Sequence, residues 1–408
     1  MQKKQYYLCV TPFFPSKEAV YGSYIYDQVK AISRNSDYEV LVFRPTSIRS
    51  KQSYYEYDGI KVFLFPSLFM PSYFFNGLTN SYNEHAFISG LKKNGIKIDD
   101  IAVVHCHTAT YACYGIAIKK LNSHVKIVLQ HHDKDPYQIL NGKFAGFLPN
   151  LLFRAIVNIQ NFKQVDCHVC ISEVVRDNLL AFPKPGIDEI YDLYKSQVKK
   201  IEWLKNDTSC FSNYVLYNGV DTSLFKFKKK QNHSHFTIGC IGNYQYLKDH
   251  ITLLKAIDLI YSRNQIPNMR VRLIGHGPLE NDLRNYVTEH HLDETVCFEK
   301  EVDHSELPKF YNSLDLFVLP SIFEGFGCVY TEAAACGVPF MMCKGQGAAE
   351  YIPESEADKW LIEKGDYASL ADKIYSFYIN RYEQKLSKTF DIDELIKEYL
   401  KKIIEFHE

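Results

Sequence analysis

Short runs of β-branched and aromatic residues alternate with helical patterns along this chain, and the alternation runs through once and then restarts. Strand, crossover helix, strand is the pattern of parallel α/β units. In the first half it predicts strands at Tyr6–Val10, Glu39–Phe43, Lys61–Phe65, Ala102–His105, Lys126–Gln130 and Asp166–Cys170, with helices such as Ser23–Ile32 and Thr110–Lys120 between some of them. The second half begins again at Thr237–Ile241. A helix from Asp249 to about Arg263 follows, with Leu253, Leu254, Ile257, Ile260 and Tyr261 on one face. Then come strands Arg270–Ile274 and Val296–Phe298, helix Ser305–Tyr311, and strands Leu314–Leu319 and Val338–Met342. Two such halves predict an α/β architecture of two Rossmann-like, doubly wound domains facing each other across a cleft. The expected boundary lies between Asn218 and Ser234, where Lys226–Lys230 reads as a solvated linker rather than an anion site. Phe182 to Asn213 reads as a helical insertion, and Ile392 to Phe406 as an amphipathic terminal helix.

At 408 residues the chain is long enough for two or three domains with sizeable cores, and its net charge of −1 gives no reason to expect nucleic acid as a partner. The eleven cysteines are odd in number and scattered. Cys9, Cys240 and Cys297 lie in apolar runs, as small buried hydrophobes do, and neither a disulfide framework nor a zinc site is expected. That usage suits a reducing, cytoplasmic compartment. The apolar run after Lys3-Lys4 is only Tyr6 to Val10 and then meets Thr11-Pro12, so it reads as a first strand and not as a leader. The longest uncharged stretch, Val62 to Asn83, is broken by Pro66 and Pro71 and does not read as a membrane span. Its aromatic part (Phe65, Phe69, Tyr73, Phe74 and Phe75) is either the core of a loop or an apolar surface for a lipid-linked acceptor or the membrane interface.

The most specific local signal runs from Leu319 to Met341. It holds two glutamates eight positions apart, Glu324 and Glu332, with Gly325 and Gly327 between them and Cys336-Gly337-Val338-Pro339 at its close. An apolar strand ends in Pro320-Ser321, a glycine-punctuated loop follows, and Gly337 and Pro339 stop a short helix. The N–H groups at that helix start favour an anion such as a diphosphate. The two carboxylates offer acceptors to hydroxyl donors. Phosphate at a helix start with carboxylates for hydroxyls describes a nucleotide-sugar site. Lys248, between a strand and its crossover helix, is either a cation for the same diphosphate or a surface lysine at a helix start. Gly275-x-Gly277-Pro278 follows a strand, as a tight turn does. His105 and His107 flank Cys106 on one strand face. A metal there would need a third ligand, and none has credible spacing.

Taken in order, these segments resemble the retaining nucleotide-sugar glycosyltransferases of family 4, which have the two-domain GT-B fold. The segments are Tyr21-Gly22-Ser23, His105-Cys106-His107, Asn218-Gly219-Val220-Asp221, Gly242 to Lys248, Gly275-His276-Gly277-Pro278 and the Glu324/Glu332 run, and together they cover most of the chain. The resemblance implies that Glu324 accepts hydrogen bonds from the donor sugar and that Glu332 holds the ribose hydroxyls. It places the amides of Gly325, Phe326, Gly327 and Cys328 around the diphosphate, with Lys248 against it. Asn243 stands where many relatives carry arginine, so it offers a hydrogen bond without a charge. Backbone at Val302 would meet the base. Gly22 would let backbone approach the donor phosphate, with one glycine where relatives often have two. His107 would reach the donor sugar, and His105 would be structural. The loop with His132, Asp133 and Tyr137 would shape the acceptor side. Its Asp133-Lys134-Asp135 also has the D-x-D spacing by which transferases of another fold hold a metal.

The domains implied are residues 1–217 on the acceptor side, 218–389 for the nucleotide sugar, and 390–408 as a terminal helix packing back on the first. The implied reaction moves a sugar from a nucleotide diphosphate sugar to a hydroxyl of a glycan or lipid-linked acceptor, with retention and without metal or other cofactor. The implied location is cytoplasmic, with peripheral contact on the inner membrane face as an option. Three rivals stay open: a nucleotide-sugar epimerase, a sugar phosphorylase of similar build, and a non-catalytic partner subunit.

Overall fold

The computed structural model describes residues 5–17, 21–68, 77, 79–132, 139–140, 143–144, 158, 160–180, 211–228 and 235–405. The chain divides into two compact units, Met1–Tyr217 with Asp393–Glu408, and Asn218–Ile392. Phe69, Tyr73, Phe74, Phe75, Asp133, Lys134, Asp135, Tyr137, most of the 182–213 stretch and Lys229-Lys230 lie outside the described residues.

The first unit holds β1 (Tyr6–Val10), β2 (Glu39–Ser47), β3 (Tyr54–Tyr57), β4 (Ile60–Ser67), β5 (Ile101–His107), β6 (Lys126–His131), the short hairpin β7 (Ile139–Leu140) and β8 (Lys143–Phe144), β9 (Cys167–Cys170) and β10 (Asn213–Val215). Its main sheet runs β10-β9-β6-β5-β1-β2-β4-β3. Every pairing in it is parallel except the antiparallel β3–β4 edge. Parallel strands covered on both faces must be apolar nearly throughout, and Tyr7 to Val10 is buried. The second unit holds β11 (Phe236–Ile241), β12 (Met269–Ile274), β13 (Val296–Glu299), β14 (Leu316–Leu319), β15 (Phe340–Cys343) and β16 (Leu361–Ile362). They pair in parallel, in the order β13-β12-β11-β14-β15-β16. In each sheet the chain winds outward both ways from a central pair, β1 and β5 in the first and β11 and β14 in the second. Loops leaving the carboxyl ends of such a pair splay apart, and ligands of doubly wound sheets sit there.

Several expectations change at residue level. Cys297 is only half-buried, because β13 is the edge strand. Tyr261 is 52% exposed, since the buried stripe of helix His250–Ser262 passes through Leu253, Leu254, Ile257 and Ile260 and one residue further turns about 100° away. Phe65 is core, packed 5.1 Å from Phe87 and 5.2 Å from Tyr114 between ring centroids, so it forms no apolar surface. The sequence also contains one C-x-x-C, Cys167 to Cys170. It is a buried strand, where residues three apart face opposite sides, so the spacing makes no ligand pair. Among the described residues no helix is long and apolar enough to cross a membrane.

The terminal segment is α-helical from Ile392 to Tyr399 and continues as a π-helix over Leu400–Glu405. Residues 390–392 stay with the second unit, because Val220 donates to the Phe390 carbonyl (2.8 Å) and Ile392 donates to the Val220 carbonyl (3.1 Å). From Asp393 onward the helix belongs to the first unit. Arg34 grips Asp393 with two guanidinium nitrogens (3.0 and 3.2 Å), Lys126 donates to the Ile403 carbonyl, and the Tyr399 and Tyr7 hydroxyls meet at 2.9 Å inside the core.

Candidate functional site

In the second unit, the loops after β11 and β14 carry the residues singled out from sequence, and they are bonded to one another. The Ile322 N–H donates to the Leu247 carbonyl at 2.8 Å. The Lys248 ammonium meets Glu324 Oε1 at 2.5 Å, and Ser321 Oγ donates to the same oxygen at 2.8 Å. The Glu324 side chain is 11% exposed and the Lys248 side chain 29%. Lys248 closes a single 3₁₀ turn (Tyr246–Lys248), and Asp249 behind it takes the left-handed conformation (φ 50°) to start the next helix.

The backbone of the glutamate loop is held from below by Gln346, a residue the sequence reading passed over. Its buried amide accepts from the Glu324 N–H and donates to the carbonyls of Ile322 (3.0 Å) and Ser321 (3.4 Å). One side chain thereby satisfies three backbone groups that have no strand partners. Gly327 begins helix Cys328–Ala335 at φ 88°, and a Cβ there would stand 2.6 Å from the Tyr330 ring and 3.6 Å from Glu324 Cγ. Only glycine lets the loop lie this flat over the helix start. Tyr330 is itself pinned by donating to the Leu319 carbonyl at 2.7 Å. The Phe326 side chain is buried against Tyr351, which anchors the loop, while Gly325 and Cys328 are half-buried.

Glu332 lies one turn into that helix, 6% exposed. Tyr311 donates to its Oε2 at 2.8 Å, and His304 Nε2 stands 3.5 Å from its Oε1. Burial and the Glu332 charge push the Tyr311 hydroxyl well above its usual pKa, so it stays a proton donor. A carboxylate held by a neutral donor on one oxygen keeps its other lone pairs for a ligand hydroxyl. Nothing in the linear sequence marks Tyr311 or His304 as partners of Glu332. They lie 21 and 28 positions from Glu332, and no spacing rule links them.

Gly275 and Gly277 have a packing reason. A Cβ at Gly275 would stand 2.1 Å from the Gly242 carbonyl oxygen, and one at Gly277 2.6 Å from that of Tyr244. The loop after β12 thus lies against the loop after β11, joined through Tyr244 N–H to His276 O (2.9 Å). Asn243 is half-buried in that same turn, and Val302 is 40% exposed just past β13. His250 lies beneath, 2% exposed, with neither ring nitrogen hydrogen-bonded among the described residues. Burial, with Lys248 nearby, holds its pKa down at about 4.

In the first unit, Gly22 caps helix Ser23–Asn35 at φ 89°, and a Cβ there would strike the Phe13 carbonyl at 2.8 Å. His105 and His107 do share a face, stacked 4.5 Å apart. Tyr7 and His105 Nδ1 meet at 2.6 Å, so His105 is tied into the core. His107 is 1% exposed, with Nδ1 2.9 Å from Nε2 of His132. Burial above all, with His105 and His132 beside it, keeps its ring neutral. Thr108, the next residue, has φ 76°, a strained backbone at the end of β5. No group of three or more metal-binding side chains occurs among the described residues.

Comparison with known proteins fits this geometry. Residues 221–391 match the model for glycosyl transferases group 1, and residues 22–191 match Glycosyltransferase Family 4. The chain overlays sucrose-phosphate synthase from Thermosynechococcus elongatus with a TM-score of 0.67 at 16% identity, over 98% of this chain and 95% of that one. This chain has the GT-B fold, and each of its halves matches a glycosyltransferase model. A second GT-B structure, Anabaena HepE in complex with UDP and glucose, gives a TM-score of 0.66 at 15% identity over 98% and 100% of the two chains. Among curated relatives, the D-inositol 3-phosphate glycosyltransferase of an Arthrobacter species is 30% identical over 139 residues, 34% of this chain. The match spans a third (33%) of that relative's own length. The capsular polysaccharide biosynthesis glycosyltransferase CapM of Staphylococcus aureus is 24% identical over 282 residues, 62% of this chain and 70% of CapM.

Proposed function

We propose that this GT-B chain transfers a sugar from a nucleotide diphosphate sugar to an acceptor hydroxyl, with retention of anomeric configuration, in the assembly of a surface glycan. The Lys248–Glu324 pair carries the reading. It joins a cation and a carboxylate at the carboxyl ends of the two central strands, beside a glycine-started helix. HepE, of the same fold, is seen with UDP and glucose, and CapM is named for capsular polysaccharide synthesis, which support the donor and acceptor classes.

On this reading the ion pair is what donor binding replaces. Its charge-assisted hydrogen bond is worth about 1.5–3 kcal/mol, and the donor offers better partners to both ends: phosphate oxygens to Lys248 and sugar hydroxyls to Glu324. As the glycosidic bond breaks, negative charge grows on the diphosphate. The ammonium and the amides of Gly325, Phe326, Gly327 and Cys328 then stabilise the transition state more than the ground state. Asn243 adds a neutral donor to that group, and Val302 offers its backbone to the base. Glu332, steadied by Tyr311, holds the ribose. His107 contacts the donor sugar, and His132, Asp133 and Tyr137 serve the acceptor. No step is assigned to a metal, so turnover is expected to survive EDTA.

A thermal-shift screen of UDP, GDP, ADP and their sugars names the donor, and product linkage by NMR reads the stereochemistry. Conversion of donor without acceptor would replace this proposal with an epimerase, and strict dependence on free phosphate with a phosphorylase. Nucleotide binding with no turnover until a second protein is added would make the chain a partner subunit.

A further inference from the structure

A cavity of about 730 Å³ opens on the first unit where β2 ends and the β3–β4 hairpin begins. Lys17, Arg44, Gln52, Tyr54, Tyr55 and Glu56 supply its chemistry. Two internal bonds fix its wall. Arg44 Nε donates to the Pro12 carbonyl at 3.0 Å, and the Tyr55 hydroxyl donates to the Phe14 carbonyl at 3.1 Å. Arg44 is therefore held by the Pro12 carbonyl, with the Tyr55 hydroxyl beside it, while half-buried, and it makes no ion pair among the described residues. Lys17 makes none either, and Glu56 is the one carboxylate in the lining. Tyr54 is 48% exposed on the edge strand, and the Lys61 ammonium stands 4.2 Å from its ring centroid.

A half-buried guanidinium without a counter-ion has lost hydration that an incoming anion restores, and its planar fork suits phosphate or carboxylate oxygens. An inorganic anion alone would have no use for two tyrosines, and a neutral sugar would have no use for two unpaired cations. Aromatic rings beside a few directed polar groups suit the apolar face and hydroxyls of a pyranose. We propose that this cavity binds a saccharide bearing a phosphate or carboxylate group. Its role as part of the acceptor rests on the transfer reading above, whereas the binding itself does not.

The test is isothermal titration of the full chain with glucose 1-phosphate, glucuronic acid and glucose, each with saturating UDP present. At least one acidic sugar is expected to bind at least tenfold more tightly than glucose, and which one binds tells phosphate from carboxylate. Lys17→Ala and Tyr54→Ala, both at exposed positions, should each weaken that binding about fivefold or more, with UDP affinity unchanged. Arg44→Gln should abolish it; since Arg44 also props the Pro12 carbonyl, its melting temperature is recorded alongside. Equal binding of glucose and both acids, or wild-type affinity in Lys17→Ala and Tyr54→Ala, overturns the proposal. A chain that ignores every nucleotide yet binds an acidic sugar through Tyr54 would sink the donor reading and leave this one standing.

Discussion

Local sequence points to Glu324 and to Lys248 separately, but it does not show their bond. They stand 76 positions apart, and only the β11–β14 pairing brings their loops together. Removing either partner leaves the other charge in a largely dry loop. Glu324→Gln is expected to lower kcat by at least about tenfold, or about 1.4 kcal/mol of barrier, while the protein still binds nucleotide in a thermal-shift assay. Wild-type turnover would remove Glu324 from the chemistry. Glu332 behaves differently, since it is expected to grip the ribose in ground and transition states alike. Tyr311→Phe deprives Glu332 of its buried donor, so KM for the donor should rise about three- to tenfold with kcat nearly unchanged. A fall in kcat at constant KM would contradict that division of labour. Gln346 escaped sequence reading for a plain reason: an amide between two glycines looks like any turn, and its value lies in three backbone partners it meets only on folding.

Elements were most legible where burial is total. Strands such as β1 and β6 read directly, since an apolar run between turn signals has few alternatives. β3 did not, because it is a half-exposed edge strand of tyrosines and a glutamate. Helix Asn80–Lys93 was likewise unseen. One of its buried positions is Asn83, whose amide bonds both backbone groups of Leu68 (2.7 and 3.1 Å), a polar residue where the pattern calls for an apolar one. The glycine loops make a prediction at this scale. Gly275→Ala puts a methyl 2.1 Å from the Gly242 oxygen, a backbone atom that cannot step aside. Urea denaturation should show a loss of about 1–3 kcal/mol, with weaker nucleotide binding because the β11 loop shifts. Gly59→Ala is the control: it also sits at positive φ (76°), but a Cβ there meets nothing within 4 Å, so only backbone strain remains and nucleotide binding stays intact.

For the molecule as a whole, buried histidines set the response to acid. His105 and His168 are held near 3 by burial first and by neighbouring histidines second, and His250 near 4. Unfolded, each would titrate near 6.5. The unfolded chain therefore binds more protons below that value, and stability contributed by the neutral rings is fully present above about pH 6.5 and is lost as pH falls toward 4. Each ring contributes a slope of up to about 1.4 kcal/mol per pH unit across that window. Melting temperature should fall steeply from pH 6.5 to 4.5, and His168→Gln should flatten the fall. A flat profile would mean that these rings gain partners on protonation.

Residue order alone determined the two-fold α/β plan and the glutamate segment, because hydrophobic period and glycine placement act over a few residues and survive in a linear reading. Tertiary structure decided which charges face each other, which glycines exist for backbone contact, and which side chains, Tyr399 and Tyr7, meet where the last helix joins the first unit. Those are meetings between distant positions. Their energy comes from removing shared surface from water, and that surface exists only once the strands have paired.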